Sequence, residues 1–530
     1  MPKKIEIFDS TLRDGAQAEG ISFSVEDKIK IVKALDSLNI TYIEAGNPGS
    51  NPKDLEFFRR MKSQNLKNSK LTAFGSTRRP GITAEEDINI QSLLEADTPV
   101  VAVFGKSWDF HVTEIIKTTL DENLNMLRDT IQFLKSKGKE VMFDAEHFFD
   151  GYKANSEYAM ETLRAAKEGG ADWLVLCETN GGAFPDEIYR ITKEVVDTFN
   201  IKVGIHCHND CGMAVANSIM AVEAGATQIQ GTYLGFGERC GNANLSTLIG
   251  NLQVKKGLEC IPKNQIVNLT PVARYIAEIT NISINEREPY IGNTAFAHKG
   301  GMHIDGVSKA THSFEHINPE TVGNKRRFLM SEVSGKSTIL NKIQRINPSI
   351  TKDSPETQAI IDRLKELEHM GYQFEGAEST FELIIRKQLG KYRPFFELIH
   401  YKIMGEQPAA DPETSSSVLV KINVDGQEEL TVAEGNGPVN ALDKALRKAL
   451  EVFYPSIRDV HLTDYKVRVL DTKTATAAKV RVLIESSDGH NVWSTVGVSS
   501  DIIEASWIAL VDSMEYKLIK DIEEKVKAYI

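Results

Sequence analysis

One pattern repeats eight times across the first ~250 residues: a short apolar run rich in Val, Ile and Phe, then an amphipathic stretch. The runs start at residues 5–11, 42–46, 71–75, 100–105, 141–148, 173–179, 203–210 and 228–235. Stretches 25–38, 124–137, 157–168 and 213–224 carry apolar residues at helical spacing. Strands that are apolar at every position are buried on both faces, which implies a parallel sheet. Eight such units predict an α/β fold closed into a (β/α)8 TIM barrel. An open doubly wound sheet is the competing topology. The polar residues favour the barrel, because nearly every run ends in chemistry. Asp9-Ser10-Thr11-Leu12-Arg13-Asp14, Glu44-Ala45-Gly46, Asp144-Ala145-Glu146, Glu178-Thr179-Asn180 and His206-Cys207-His208 all stand at strand ends. A barrel gathers its strand C-termini at one mouth, whereas an open sheet spreads them along a crevice.

The barrel is assigned to residues 1–260. Residues 261–403 read as mostly helical linker subdomains, with polar loops around 298–308 and 332–338 and a charged amphipathic helix at 353–367. The composition of residues 404–417 (MGEQPAADPETSSS) is that of a linker. In residues 418–530 alternating strands precede helices twice. TVAEGNGPVNALDKALRKAL at 431–450 and TVGVSSDIIEASWIALVDSM at 495–514 share one layout. Two βββα-like units forming a C-terminal α+β domain are expected.

Composition narrows the function. Lys plus Arg is 62 and Asp plus Glu is 74, a net charge of −12. That balance argues against a nucleic-acid partner, while local Arg and Lys can still hold small anions. No apolar run reaches the ~18 residues of a membrane span, and no signal-peptide pattern opens the chain. The five cysteines (Cys177, Cys207, Cys211, Cys240 and Cys260) are odd in number and form no CxxC pair. Reduced thiols in a cytoplasmic protein are expected.

His206-Cys207-His208 is the sharpest local signal. Side chains at i and i+2 of a strand share a face, so the two imidazoles can share a divalent metal. Asp14 can add a carboxylate from the first strand, Asn209-Asp210 can orient the imidazoles, and Asn242 can reach the metal through its amide oxygen. Two His and one Asp leave positions open for substrate oxygens. Arg13, beside the metal candidate, suits capture of a carboxylate or polarisation of a carbonyl. Asp144 and Glu146 share one strand face, where paired carboxylates can create a general base. The glycine-bearing loop 235–244 after the eighth run lacks the GxGxxG spacing and reads as a rigid support for Glu238, Arg239 and Asn242. His298-Lys299-Gly300-Gly301-Met302-His303-Ile304-Asp305-Gly306 reads as a loop folding over the barrel mouth, with His303 as a candidate acid.

Together these residues resemble the family of α-isopropylmalate, homocitrate and citramalate synthases, metal-dependent barrel enzymes of the DRE type. The motifs are DSTLRDGAQ at 9–17, HCHND at 206–210, GFGERCGN at 235–242 and, near the C-terminus, GNGPVNAL at 435–442. The resemblance covers nearly the whole chain. It implies condensation of acetyl-CoA with an α-keto acid, followed by thioester hydrolysis. By position, Asp14, His206 and His208 would bind the metal (Mn, Mg or Zn), with Asn242 as a further or water-linked contact. Arg13 would stabilise the keto-acid oxygen, Thr179 would bind its carboxylate, Glu146 would deprotonate the acetyl methyl group and His303 would assist at the thioester oxygen. Asp144 and Phe104 join the substrate-binding set. FGSTRRP at 74–80, FGKSWDFHV at 104–112, EHFFDGYKAN at 146–155 and FEHINPETVG at 314–323 resemble the branch that takes pyruvate, with Phe104 and Phe148 enclosing its methyl group. The C-terminal domain resembles the family's feedback module, which implies isoleucine as effector and a homodimer as assembly. One departure stands out: Phe314 occupies a position where the family usually has a tyrosine, for which Tyr290 is a candidate substitute. Isopropylmalate or homocitrate synthesis, an acyl-CoA lyase or aldolase on the same barrel, and an amino-acid sensor are the rival functions.

Overall fold

The computed structural model describes residues 3–329, 336–374, 376–405, 415–470 and 478–528. Eight strands pair in parallel and in chain order, and the eighth closes on the first, with Ile7 opposite Ile229. They are β1 (Glu6–Asp9), β2 (Tyr42–Glu44), β3 (Lys70–Ser76), β4 (Val100–Lys106), β5 (Glu140–Glu146), β6 (Trp173–Glu178), β7 (Lys202–Cys207) and β8 (Gln228–Gly231). The helices of this part are α1 (Val25–Ser37), α2 (Pro52–Met61), α3 (Ile88–Glu95), α4 (Leu120–Ser136), α5 (Phe148–Ala154), α6 (Ser156–Glu168), α7 (Pro185–Thr198), α8 (Ala214–Ala224), α9 (Leu245–Ile249) and α10 (Leu269–Thr280). The closed barrel and its helices are those read from the eightfold pattern. Side chains start several helices: Ser24 and Asp27 form a reciprocal capping box on α1, and Thr119 accepts from the Glu122 N–H on α4.

Strand alternation builds two cores. Phe8, Tyr42, Ala102, Met142, Trp173 and Val175 fill the barrel interior. Residues of opposite parity, such as Ile43, Val101, Phe143, Leu174 and Ile205, pack outward beneath the helices. Each aliphatic side chain fully withdrawn from water contributes about 1.5–3 kcal/mol before conformational entropy is counted. Followed toward the C-terminal ends, the inward parity runs from Met142 to Asp144 and Glu146, from Ala102 to Phe104 and Lys106, and from Gly204 to His206. The same period that fills the barrel floor therefore sets the side chains at its mouth.

The chain divides into two compact units, residues 1–296 with 315–326, and residues 297–314 with 327–530. The second begins with β9 (Ala297–His298), paired in parallel with β10 (Arg327–Phe328), and α11 (Gly301–Lys309). Helices α12 (Lys336–Ile346), α13 (Pro355–Met370) and α14 (Glu378–Gln388) pack around Ile343, Ile360, Leu364 and Phe381. Two antiparallel three-stranded sheets follow. In the first, β11 (Glu397–Gly405), β12 (Ser416–Val424) and β13 (Gln427–Gly435) carry α15 (Pro438–Glu451). In the second, β14 (His461–Val469), β15 (Val480–Ser487) and β16 (Val492–Ser499) carry α16 (Ile502–Ala528). The duplication extends to single bonds: Thr431 Oγ1 donates to Ala445 O at 2.8 Å, and Thr495 Oγ1 to Ala509 O at 2.7 Å. Among the described residues, no helix is long and apolar enough to cross a membrane.

Three local expectations are corrected. Residues 301–309, read as loop, are helical, because Ile304 and Val307 supply a buried face at i, i+3. The stretch 404–417, read as a linker, joins neighbouring strands, with Met404 opposite Ser417 and Gly405 opposite Ser416; residues 406–414 lie outside the described set. Of the polar loop expected at 332–338, residues 332–335 lie outside the described set and Lys336–Thr338 open α12.

Candidate active site

His206 is the penultimate residue of β7, and His208 follows the strand as an isolated antiparallel bridge partner of Asn242. The two Nε2 atoms lie 3.3 Å apart, and stand 3.6 and 3.9 Å from Asp14 Oδ2. All three residues are buried, and their ligand atoms fall within 4.8 Å of one another. Burial drives the His206 pKa down to about 3, against the pull of the Asp14 charge, so the imidazole is neutral. Burial lowers His208 likewise. Burial alone would raise Asp14, but Arg13 and the two histidines hold its carboxyl down to about 2. Asn242 Nδ2 donates to Asp14 Oδ1 at 2.8 Å, while Asn242 Oδ1 is buried without a hydrogen-bond partner. Two neutral nitrogens, one ionised oxygen and an orphaned amide oxygen fit a divalent cation.

Arg13 is fixed from three sides. Its Nε donates to Glu44 Oε2 at 2.7 Å, its Nη1 to Asp14 Oδ2 at 3.0 Å, and its guanidinium carbon lies 3.8 Å from the Phe74 ring centroid. Glu44 ends β2, is fully buried and also accepts from Ser10 Oγ. Burial pushes the Glu44 carboxyl up, opposed by the Arg13 charge. Asp144, on β5, accepts from Gln230 Nε2 at 3.1 Å. Burial, with the Glu44 charge added, pushes its carboxyl up to about 8.

Glu146 closes β5 and pairs with Lys106, the last residue of β4. His147 then takes a left-handed conformation (φ 54°) and donates its N–H to Thr179 Oγ1 at 2.9 Å. With that oxygen already accepting, the Thr179 hydroxyl hydrogen is left to donate elsewhere. A cavity of about 220 Å³ is lined by Arg13, Asp14, Phe104, Asp144, Glu146, Thr179, His206 and His208, together with Gln17, Phe74, Cys177 and Glu238. A second cavity, about 260 Å³, shares Arg13, Gln17 and Phe74, and extends past Asn47, Ser50, Asn51 and Lys53.

Other expected residues are placed elsewhere. Phe148 does not line the cavity: the turn at His147 sends it into the core, fully buried against Phe149 and Tyr152. Asn209 and Asp210 do not orient the imidazoles. Asn209 Oδ1 accepts from the Ala214 N–H, and Asp210 pairs with Arg239 at 2.8 Å. Tyr290 is no substitute for the missing tyrosine, since it is buried with its hydroxyl donating to Asn251 Oδ1 at 2.7 Å. His303 lies on α11 in the second unit, its ring stacked on Phe314 at 4.3 Å between centroids. The sequence reading placed Glu44 at the mouth without a partner, and missed Phe74, Gln230 and Lys106 as members of this network. Strand parity was the available signal, because each follows an inward-facing residue by two: Tyr42, Thr72, Gln228 and Phe104.

Three family models cover most of the chain: HMGL-like at residues 4–276, homocitrate synthase post-HMGL domain-like at 290–371, and LeuA allosteric (dimerisation) domain at 375–518. A protein of Aquifex aeolicus described as (R)-citramalate synthase is 53% identical over 527 residues, 99% of this chain and 100% of that protein. Another of that description, from Geobacter sulfurreducens, is 50% identical, covering 98% of both chains. A probable 2-isopropylmalate synthase of Methanopyrus kandleri is 32% identical, covering 96% of this chain and 98% of that protein.

Proposed function

From a chain that belongs to the HMGL-like family, and within it to the citramalate synthases of the LeuA and homocitrate synthase group, we propose the following reaction. Acetyl-CoA condenses with pyruvate, and the thioester is hydrolysed to release (R)-citramalate and CoA. The observation that carries this reading is the convergence of Arg13, the Asp14–His206–His208 donor set and Glu146 on one cavity.

Asp14, His206 and His208 would hold a divalent ion, with Asn242 as a further or water-linked contact, and that ion would supply Lewis acidity toward the keto-acid oxygens. Arg13 faces the same oxygens and stabilises the negative charge that develops on the former carbonyl oxygen. The Thr179 hydroxyl donates a hydrogen bond to the substrate carboxylate, Asp144 lines the same pocket, and the stacked Phe74–Phe104 pair walls it on its apolar side. Glu146 takes a proton from the acetyl methyl group, whose carbon then bonds to the keto carbon. Water adds to the thioester and CoA leaves as the thiol. The adjoining cavity at Asn47, Ser50 and Asn51 supports a place for the CoA arm. The C-terminal sheets serve a homodimer, with isoleucine as the effector.

CoA release from acetyl-CoA is to be measured with pyruvate, 2-ketoisovalerate and 2-ketoglutarate, each with and without a chelator and isoleucine. Turnover with pyruvate that is lost with the chelator is expected. Preference for a larger keto acid would reassign the substrate, and indifference to isoleucine would remove the effector.

A further inference from the structure

The mechanism above gives Lys106 no task, yet it stands against the catalytic base. Lys106 and Glu146 are register partners at the ends of β4 and β5. Both follow the inward parity of their strands to the mouth. The Lys106 ammonium donates to Glu146 Oε2 in a half-buried pair, with 17% and 25% of the side chains exposed. Among the described residues, Lys106 is the side chain that hydrogen-bonds this carboxylate.

Lys106 is itself held in place. Its carbonyl accepts from Nδ2 of the wholly buried Asn123 at 2.9 Å, and that amide also donates to Tyr158 Oη. Its ammonium lies 5.7 Å from the Phe104 ring centroid. Just beyond the pair, the two loops interlock. The Ser107 N–H donates to Glu146 O, and the rings of His111 and His147 meet edge to face at 4.5 Å. Gly151 of α5 lies so close to Ser107 that a Cβ there would stand 2.4 Å from its carbonyl oxygen. These contacts tie the two strand ends to each other.

We propose that Lys106 is the positioning residue of Glu146. By engaging Oε2 it fixes the carboxylate rotamer and leaves Oε1 as the atom that meets the acetyl methyl group. Three further acids line the cavity with Glu146 (Asp14, Asp144 and Glu238), and the Arg13 guanidinium hydrogen-bonds Glu44 and Asp14 rather than Glu146. Lys106 therefore supplies the local counter-charge that keeps Glu146 turned to its task. The proposal rests on Glu146 being the base, and the experiment separates the two.

Wild type, E146Q, K106M and K106R are compared with pyruvate and either acetyl-CoA or trideuteroacetyl-CoA. In K106M, kcat is expected to fall about 10–100-fold, the cost of a misplaced group. The pyruvate KM should stay within about threefold of wild type, and the deuterium isotope effect on kcat should rise as methyl deprotonation becomes limiting. K106R is expected to restore most of kcat. Wild-type kcat and isotope effect in K106M would overturn the proposal. So would a loss carried by the pyruvate KM with an unchanged isotope effect and no rescue in K106R. Thermal unfolding and metal content check each variant, and K106Q takes the place of K106M if the latter does not fold. Wild-type turnover in E146Q would instead remove Glu146 from its role.

Discussion

Glu44 holds Arg13 through a single charged hydrogen bond in which the carboxylate is fully buried, and such bonds are strong where water is scarce. Glu44→Gln removes the charge, keeps the shape, and frees the guanidinium to move. We expect kcat/KM for pyruvate to fall about 10–100-fold, read by steady-state kinetics, with metal content unchanged. In the second unit, Glu515 accepts from the Phe395 N–H at 3.0 Å and is 1% exposed. Burial pushes its carboxyl up from 4.5 to about 7. An acid raised in the folded state costs nothing below its unfolded pKa. Its penalty grows as pH rises through 4.5 to 7 and is complete above that, at about 3 kcal/mol before relaxation. Glu515→Gln should therefore raise the unfolding temperature at pH 8 and leave it unchanged at pH 4, measured by calorimetry; an equal shift at both would exclude the charge as the cause. Residue identities at strand ends were legible because Asp, His and Arg interrupt apolar runs. Lys106 was harder to see, since a lone base at a strand end reads as a solvated side chain until its partner on the next strand is known, and Glu44 was legible at its strand end while its pairing with Arg13 was not.

The elements were legible as far as their periodicity carried. The eight strands and four helices read from the spacing are present, because continuous burial and amphipathic stripes are properties of consecutive residues. Residues 301–309 were misread because Gly301, His303 and Gly306 mask a short buried stripe at Ile304 and Val307. Phe148 was misplaced for a related reason: one left-handed residue, His147, redirects the chain between strand and helix. The interlock of the β4 and β5 loops makes its own prediction. Gly151→Ala inserts a methyl group 2.4 Å from Ser107 O, so α5 must withdraw from β4. A loss of about 1–3 kcal/mol in denaturant unfolding is expected, with a fall in kcat as Glu146 and Thr179 lose their support. Unchanged kcat would show that the loops move independently of the base.

At the scale of the whole molecule, the two βββα units each cover one sheet face with a helix. In β13, Thr431 faces α15, so Leu430 and Val432 on either side face away, 54% and 47% exposed. Apolar side chains left in water on a sheet face mark an association surface. Val432→Glu is expected to convert the proposed homodimer into a monomer in sedimentation velocity; an unaltered sedimentation coefficient would place the contact elsewhere. The duplicated layout of this part was readable in sequence, because two stretches with the same order of strand, turn and helix fold alike. The eightfold alternation likewise determined the barrel, and strand ends named most of the residues at its mouth. Only the tertiary structure decided which of them meet. Asp14 and Asn242 are 228 residues apart and share a hydrogen bond, and Arg13 finds Glu44 rather than solvent. Those pairings follow from barrel closure and strand register, which bring distant strand ends to one ring, and no local pattern of residues encodes a distance across that ring.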